Sequence, residues 1–464
     1  MSGRVLAAWL AAFLALGCDD GSSSDGGTGG RDAGPRADGS TPDAGGRDAG
    51  AGSDGGARDA GPTPMPTFGC APLGAPSGAT MMITPAQADD LPSLIGGAAA
   101  GTTILLADGT YTSTRSGEAE RRIQIRNPGI TLRSASGDAS AVTIDAEYMT
   151  NELITITADD VTIAEITLMH AVDHLVHATG NGGTTITGTR LYGVTFIDAG
   201  EQFVKVNGDG MGGYVDGGEL ACSRFELTDA GRAHVERNPG GCYTGGIDCH
   251  SGRGWRVAQN TFTSIYCAGE GLAEHAIHFW SQARDTVVEN NTIIDCARGI
   301  GFGLDQSDER RTYPDDPYSG IRPISHFDGI IRNNVIFAET PYYDTGIELQ
   351  RARGAVVVHN TITSTPAATG FFSSLDYRFT TTDVTIQNNV TRRITVRDGA
   401  SGTVDHNLEM APMSLFVDPA AYDFHLASGA SQAIDQGVVV SESGVDLDGE
   451  AHDHGAPDLG ADER

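Results

Sequence analysis

VAQNTF (257–262), VENNTI (288–293), IRNNVI (331–336), VVHNTI (357–362), IQNNVT (386–391) and VDHNLE (404–409) share one pattern, an apolar residue, two variable residues, Asn, one variable residue and a final position that is usually apolar. IAEITL (163–168), LYGVTF (191–196) and LACSRF (220–225) fit the same template with another residue at the Asn place. The template positions recur about every 26 to 31 residues, the length of one coil of a solenoid. Apolar alternation inside each repeat predicts strands, and Gly, Asp and Asn between the runs predict turns too short for helices. The fold expected is all-β: a single-stranded right-handed parallel β-helix in which the inward side chains of successive coils stack into one core. An Asn in each turn suits such a stack, since it tolerates unusual backbone angles and hydrogen-bonds to its neighbours.

A length of 464 residues, 63 of them Gly and only 6% aromatic, fits a turn-dense β protein in which repetition, not a second fold, explains the length. Residues 1–17 read as a signal peptide: Arg4, an apolar run from Val5 to Leu16, then Gly17 and Cys18. LALGC is similar to a bacterial lipobox, which implies acylation of Cys18 and a lipid-anchored place in the cell envelope, periplasmic or at the cell surface. Residues 18–67, rich in Gly, Ala, Asp, Ser and Pro, have almost nothing apolar to bury and are expected to form a disordered tether. The β-helix is assigned to 68–415 and a tail packed against it to 416–464.

Six further cysteines suit disulfides in an exported chain. Cys267 in SIYCA and Cys296 in IIDCA stand at similar places in consecutive coils and form the preferred pair, with Cys222–Cys242 a weaker one. Zinc is disfavoured because no Cys-x-x-Cys pair exists. A net charge of −31 argues against a nucleic-acid partner. A monomer is expected.

TPAQADDLPSLI (84–95) predicts an N-terminal helix, with Thr84 as its cap, closing the open end of the solenoid. TILLADGTYT followed by ITLRS resembles bacterial β-helix polysaccharide lyases and their relatives, the pectin-lyase-like carbohydrate-active proteins. DFHLASGASQAIDQG (423–437) and DLDGEAHDHGAPDLGADE (446–463) resemble a tail common in exported bacterial β-helix proteins.

A second strand lies between successive Asn-type strands: HLVHAT (174–179), FVKVN (203–207), GIDCH (246–250), AIHFW (276–280), GIGFG (299–303), GIELQ (346–350) and GFFSS (370–374). With Val204, Ile247, Ile277, Ile300 and Ile347 inward, period two sends His177, Lys205, Asp248, His278, Gly301, Glu348 and Phe372 outward. One step along the same face come Thr179, Asn207, His250, Trp280, Gly303, Gln350 and Ser374. Neighbours in a column repeat about every 4.8 Å. Lys205, Asp248, His250 and His278 are therefore the candidate catalytic group, with Trp280 a platform for a sugar ring and Gly301 and Gly303 an open floor. Asn207, Arg284, Arg298 and Glu348 are candidate substrate-binding residues. Two insertions, near 229–243 and 305–326, should border this face, bringing Arg232, Arg237, Arg310, Arg311, Tyr313 and Tyr318 as cover.

GGIDCHSGRGWRVAQNTF resembles the Asp-Pro-His segment of β-helix uronan C5-epimerases, with Cys249 at the Pro place and the Tyr displaced to Tyr243. The resemblance implies that Asp248 and His250 carry over onto that motif, and His275 or His278 onto the strand that follows. Abstraction of a uronate C5 proton requires a cation such as Lys205, Arg284 or Arg298 to offset the charge that develops, a His as base, and a second His or a Tyr as acid. Departure of the C4 substituent gives a lyase; return of a proton to the opposite face gives an epimerase. No cofactor is required, though calcium could assist. A glycoside hydrolase is a second reading, but Asp248 and Glu348 stand three coils, about 14 Å, apart, so a loop acid such as Asp305 or Asp308 would have to join. A non-catalytic surface lipoprotein that binds glycans or a protein partner is a third.

Overall fold

A computed structural model describes residues 68–464 apart from 239–240, 270, 305–309, 369–373 and 453–454. Cys18 and the tether, Asp305, Asp308 and Phe372 lie outside the described residues. Among the described residues, three parallel sheets of 14, 10 and 10 strands wind into a right-handed β-helix. One coil runs through Arg190–Tyr192, Thr195–Ile197 and Gln202–Asn207, and the next through Glu219–Ala221, Arg224–Glu226 and Gly245–His250, each strand pairing in parallel with its equivalent. No helix among the described residues is long and apolar enough to cross a membrane.

Inward residues stack along the axis. Leu191, Leu220, Val257, Val288, Ile331, Val357 and Ile386 are fully buried, and Phe196, Phe225 and Phe262 form a ring stack with centroids 4.5 and 4.4 Å apart. The turn between the first two strands of a coil explains the Asn pattern. The residue before the template position takes the left-handed conformation, as at Cys222, Gln259, Asn290, Asn333, His359 and Asn388. The Asn that follows turns inward and donates its amide to the next one: Asn260 to Asn291, Asn291 to Asn334, Asn334 to Asn360, Asn360 to Asn389 and Asn389 to Asn407, all at 2.9–3.0 Å. The column is thus a buried ladder, and the unusual backbone angle falls one residue earlier than the Asn itself.

At the N-terminal end, Thr84 forms a capping box with Gln87, a 3-10 turn spans Pro85–Asp90, and a short α-helix, Leu91–Gly96, sends Leu91 and Ile95 into the core. The helix is thus shorter than the sequence pattern predicts. At the other end, the hairpin of Phe416–Asp418 with Asp423–Leu426 packs Phe416 and Phe424 against Ile294, Val335 and Phe337. Asn290 and Asn333, in the left-handed column, donate to backbone carbonyls of Ser443, Val445 and Asp446, and so hold the last segment against the coils.

The cysteines pair differently from the expectation. Disulfides join Cys70 to Cys222 and Cys242 to Cys267, while Cys296 and Cys249 are free and buried. The expected Cys267–Cys296 bridge fails on register. Ser264 and Asp295 are the equivalent left-handed residues, and Ala297 N–H bonds Ile265 O, so Cys296 stacks on Ile265 inside the core. Cys267 lies two residues further along, beside the 229–243 insertion that carries Cys242. The Cys222–Cys242 alternative fails as well, because Cys222 is taken by the segment that leads into the first coil.

Candidate functional site

The site sheet orders Gln202–Asn207, Gly245–His250, His275–Trp280, Arg298–Phe302 and Thr345–Gln350 side by side. The register pairs Lys205 with Asp248, Asp248 with His278, His278 with Gly301 and Gly301 with Glu348, and places His250 beside Trp280. Both columns read from sequence are therefore on one outer face. The column continues into Asp376 of Leu375–Arg378, so LDYR is the segment that pairs with Thr345–Gln350.

A third column escaped the period-two reading. Two consecutive residues point inward at the start of each strand: Leu175 and Val176, Phe203 and Val204, Ala276 and Ile277 are all 1% exposed or less. In the coil of Gly246 only glycine fits, since a Cβ there would stand 2.2 Å from Ala276 O. The residue before each pair therefore faces outward again, and strand positions three apart share the face: the rings of His275 and His278 are 4.5 Å apart, those of His174 and His177 5.6 Å. His275 and Arg298 both belong to this column.

At the centre, Lys205 Nζ lies 2.5 Å from Asp248 Oδ2, 3.3 Å from His250 Nε2 and 3.3 Å from the Tyr243 hydroxyl. Asp248 Oδ2 is 3.1 Å from His250 Nε2, and its Oδ1 accepts from Trp280 Nε1 at 2.6 Å. Burial alone would neutralise these groups, but their mutual attraction overrides it. Lys205 is held above and Asp248 well below its ordinary range, so the pair stays charged. Burial, reinforced by the Lys205 charge, pushes His250 down to about 4, so its imidazole is neutral. The Nε2 edge of that ring meets both the Asp248 carboxylate and the Lys205 ammonium; with its proton given to Asp248, the lone pair falls on Nδ1, a buried atom with no hydrogen-bond partner. Burial also pushes the Tyr243 phenol up to about 12, keeping it protonated. The arrangement unites a free base, a protonated phenol and a fixed cation.

Several expectations need correction. The face is not an open surface: Lys205, Asp248, His250, His278, Trp280 and Glu348 are each less than a tenth exposed. Trp280 is not a sugar platform, because its ring lies against His278 with centroids 5.5 Å apart and its indole N–H holds Asp248. Gly301 leaves no floor, since the His275 ring fills the space 2.8 Å from where a Cβ would stand. At Gly303 the Gln350 carbonyl closes the gap. Arg284 sits away from this face, in Ala283–Arg284 of the 14-stranded sheet, beside Asp315, Asp285 and Asp328. Asn207 is engaged by His177 at 2.9 Å.

Of the residues expected to cover a substrate, most fasten loops instead. Arg311 pairs with Asp216, Tyr313 bonds Gln282 O, Tyr318 bonds Asp328, and Arg232 reaches Ser264 O and Tyr266 O. Arg310 lies near enough for its charge to bear on His250. Tyr243 is the insertion residue that joins the site, and the Cys242–Cys267 disulfide fixes the insertion immediately beside it.

Two further carboxylates on the face are each set against basic side chains. Glu348 is held down to about 2 despite burial by His275 and Arg298. Burial raises its neighbour Asp376, but Arg397 binds both of that residue's oxygens, at 2.7 and 2.8 Å. Among the described residues, three groups of side chains bring donor atoms close enough to hold a metal ion: Glu152 with His174 and His177, Glu274 with His275 and His278, and His425 with Asp448 and Asp462.

No protein-family model and no curated protein matches the chain. Solved structures do match. Pectate lyase Pel9A is 17% identical, with 80% of this chain and 90% of that chain covered and a TM-score of 0.50. The A-module of mannuronan C-5 epimerase AlgE6 of Azotobacter vinelandii is 12% identical, with 71% and 92% covered and a TM-score of 0.42. PfbA, a surface adhesin of Streptococcus pneumoniae, is 10% identical, with 69% and 86% covered and a TM-score of 0.38. The likeness is one of fold. The chain is a right-handed parallel β-helix.

Proposed function

We propose that this chain acts on a uronate-containing polysaccharide by removing the C5 proton, as a lyase or an epimerase. The observation that carries the reading is the His250 imidazole, neutral and with its free Nδ1 fixed by the Asp248 carboxylate, beside the charged Lys205 and the protonated Tyr243. His250 Nδ1 takes the C5 proton, and the electron pair left behind delocalises into the substrate carboxylate, whose growing charge Lys205 offsets. In elimination that pair forms the C4–C5 double bond, the C4–O bond breaks, and the departing oxygen receives a proton from the Tyr243 hydroxyl. In epimerisation the same hydroxyl returns a proton to the opposite face of C5. A paired-carboxylate hydrolase is not supported, since Asp248 and Glu348 are both held ionised and stand three coils apart.

The near-complete burial of the face favours one other reading, a structural network inside a non-catalytic glycan-binding lipoprotein. Incubation of the full chain with polygalacturonate and alginate in deuterated water, with and without calcium, separates the two. Ultraviolet absorbance from an unsaturated uronate, or deuterium at C5, is expected with the parent and should fall about 10²- to 10⁴-fold in His250→Ala. Binding of these polymers without either signal would sink the catalytic reading. Cell-envelope placement through a lipid on Cys18 belongs to the same proposal, and rests on LALGC and the tether-like composition that follows. Cys18→Ser should release the chain from membranes, and unchanged fractionation would remove the anchor.

A further inference from the structure

Beside the Lys205–Asp248–His250 group lies a second constellation that the proton-transfer scheme leaves unused. Glu274 Oε2 stands 3.4 Å from His278 Nδ1 and 3.7 Å from His275 Nδ1. All three atoms are buried without a hydrogen-bond partner, and both imidazoles are 1% exposed. Buried polar atoms left unpaired are rare and call for a cause.

The opposite edges of the rings supply it. His275 Nε2 is 3.1 Å from Glu348 Oε2, and His278 Nε2 is 3.2 Å from Gly303 O. Both partners are acceptors, so each ring carries its proton on Nε2 and turns an Nδ1 lone pair toward Glu274. Two lone pairs and a carboxylate oxygen converging in a buried space repel one another unless a cation sits between them.

The spacing discriminates among cations. Bonds of about 2.0–2.2 Å at tetrahedral angles put the ligand atoms of zinc about 3.3 Å apart, close to the separations found here. A carboxylate and a backbone carbonyl behind ligating imidazoles are the usual supports that fix ring orientation in such sites. Calcium prefers six to eight oxygens, which a site with two nitrogens does not offer. Absence of a Cys-x-x-Cys pair excludes a thiolate zinc site but not one of this composition.

We propose that Glu274, His275 and His278 bind a zinc-class divalent cation through one carboxylate oxygen and two Nδ1 atoms. Asp248 Oδ1, 3.7 Å from His278 Nδ1, is a further carboxylate at its edge. Three protein ligands leave a fourth position for water or a substrate oxygen, the composition of a Lewis-acid site. The assignment stands whether or not the neighbouring group turns over a uronan, and it makes His278 a ligand, not a proton donor.

The test is metal binding by the full chain after chelator treatment. Titration with zinc chloride should give one tight site per chain, and cobalt(II) should bind there with the visible absorption of tetrahedral coordination. His275→Gln and Glu274→Gln should each weaken binding by roughly 100-fold or more, and Glu348→Gln, behind the first ligand, by about 10- to 100-fold. Glu274 lies at the rim with its side chain 22% exposed, so its variant checks the site should the buried His variant fail to fold. Glu152→Gln, in the other His cluster, should leave the stoichiometry unchanged. The proposal is overturned by no stoichiometric binding in the parent, by full affinity in Glu274→Gln, or by loss of the metal in Glu152→Gln.

Discussion

Two strands of the site sheet carry the same motif, a pair of histidines separated by two inward residues: His174 and His177 in His174–Thr179, and His275 and His278 in His275–Trp280. Their backbones are equivalent and their surroundings are not. In the first, Glu152 Oε1 lies 3.0 Å from both Nδ1 atoms, while Gln202 and Asn207 from the following coil meet the two Nε2 atoms at 3.0 and 2.9 Å. In the second, the following coil offers Arg298 and Gly303 where the first has Gln202 and Asn207, and the Nδ1 atoms are left unclaimed beside Glu274. A solenoid repeats its backbone at nearly constant geometry, so chemistry enters through the coil next door. One histidine pair is locked into a closed network; its counterpart retains binding capacity beside a buried ion pair.

The largest expected effect comes from breaking that ion pair. Asp248→Asn leaves Lys205 buried without a counter-charge, and loss of one member of a buried pair costs about 3–5 kcal/mol. The corresponding change in the closed network, Glu152→Gln, keeps an acceptor for the imidazoles and should cost about 1–3 kcal/mol. Urea denaturation of both variants checks the ordering. Equal losses would mean that the two clusters are energetically alike.

The coil, its repeat length and the inward column were legible in the sequence, because apolar alternation marks the strands and the Asn ladder marks one turn of each coil from Asn260 to Asn407. Lys205, Asp248, His250 and His278 were placed on one face for the same reason. His275 was found through a family resemblance, not from period two, because the double-inward start of each strand adds one residue. That offset was encoded in Phe203-Val204, Gly246-Ile247, Ala276-Ile277, Gly299-Ile300 and Gly346-Ile347, five pairs of a small or apolar residue before a β-branched one. Glu274 was invisible for the same reason, and Asp376 because GFFSS places the strand four residues before the register of Glu348 with Asp376. The burial of Trp280 was not legible either, since nothing local says that Asp248 will take its indole N–H.

The disulfide at Cys242 sharpens the comparison from the side of the open cluster. It ties the 229–243 insertion to the turn after Thr261–Thr263, next to Tyr243, and no disulfide among the described residues touches the Glu152 network. Cys242→Ser should cost about 2–4 kcal/mol and lower any turnover by loosening Tyr243. Cys296→Ala, at the place first expected to carry the bridge, should leave the non-reducing peptide map unchanged. A map that lost the Cys267 cross-link in Cys296→Ala would reverse this.

The smallest effect is one of sign. His250 titrates at about 4 in the folded chain against an ordinary 6.5, so between those values the unfolded chain binds more protons and stability falls as the pH falls. His174 is displaced the other way: burial opposes its charge, but Glu152 more than compensates and raises it. Its contribution is therefore complete below pH 6.5 and is lost as the pH rises through the folded value. Each site contributes at most about 1.4 kcal/mol per pH unit inside its window. His250→Gln should flatten the stability curve between pH 6.5 and 4, and His174→Gln should flatten it above 6.5, both read from urea midpoints across pH. If the two variants changed the same limb, the Glu152 network and the Lys205–Asp248–His250 group would not differ in the charge they hold, and the contrast between them would reduce to hydrogen bonding.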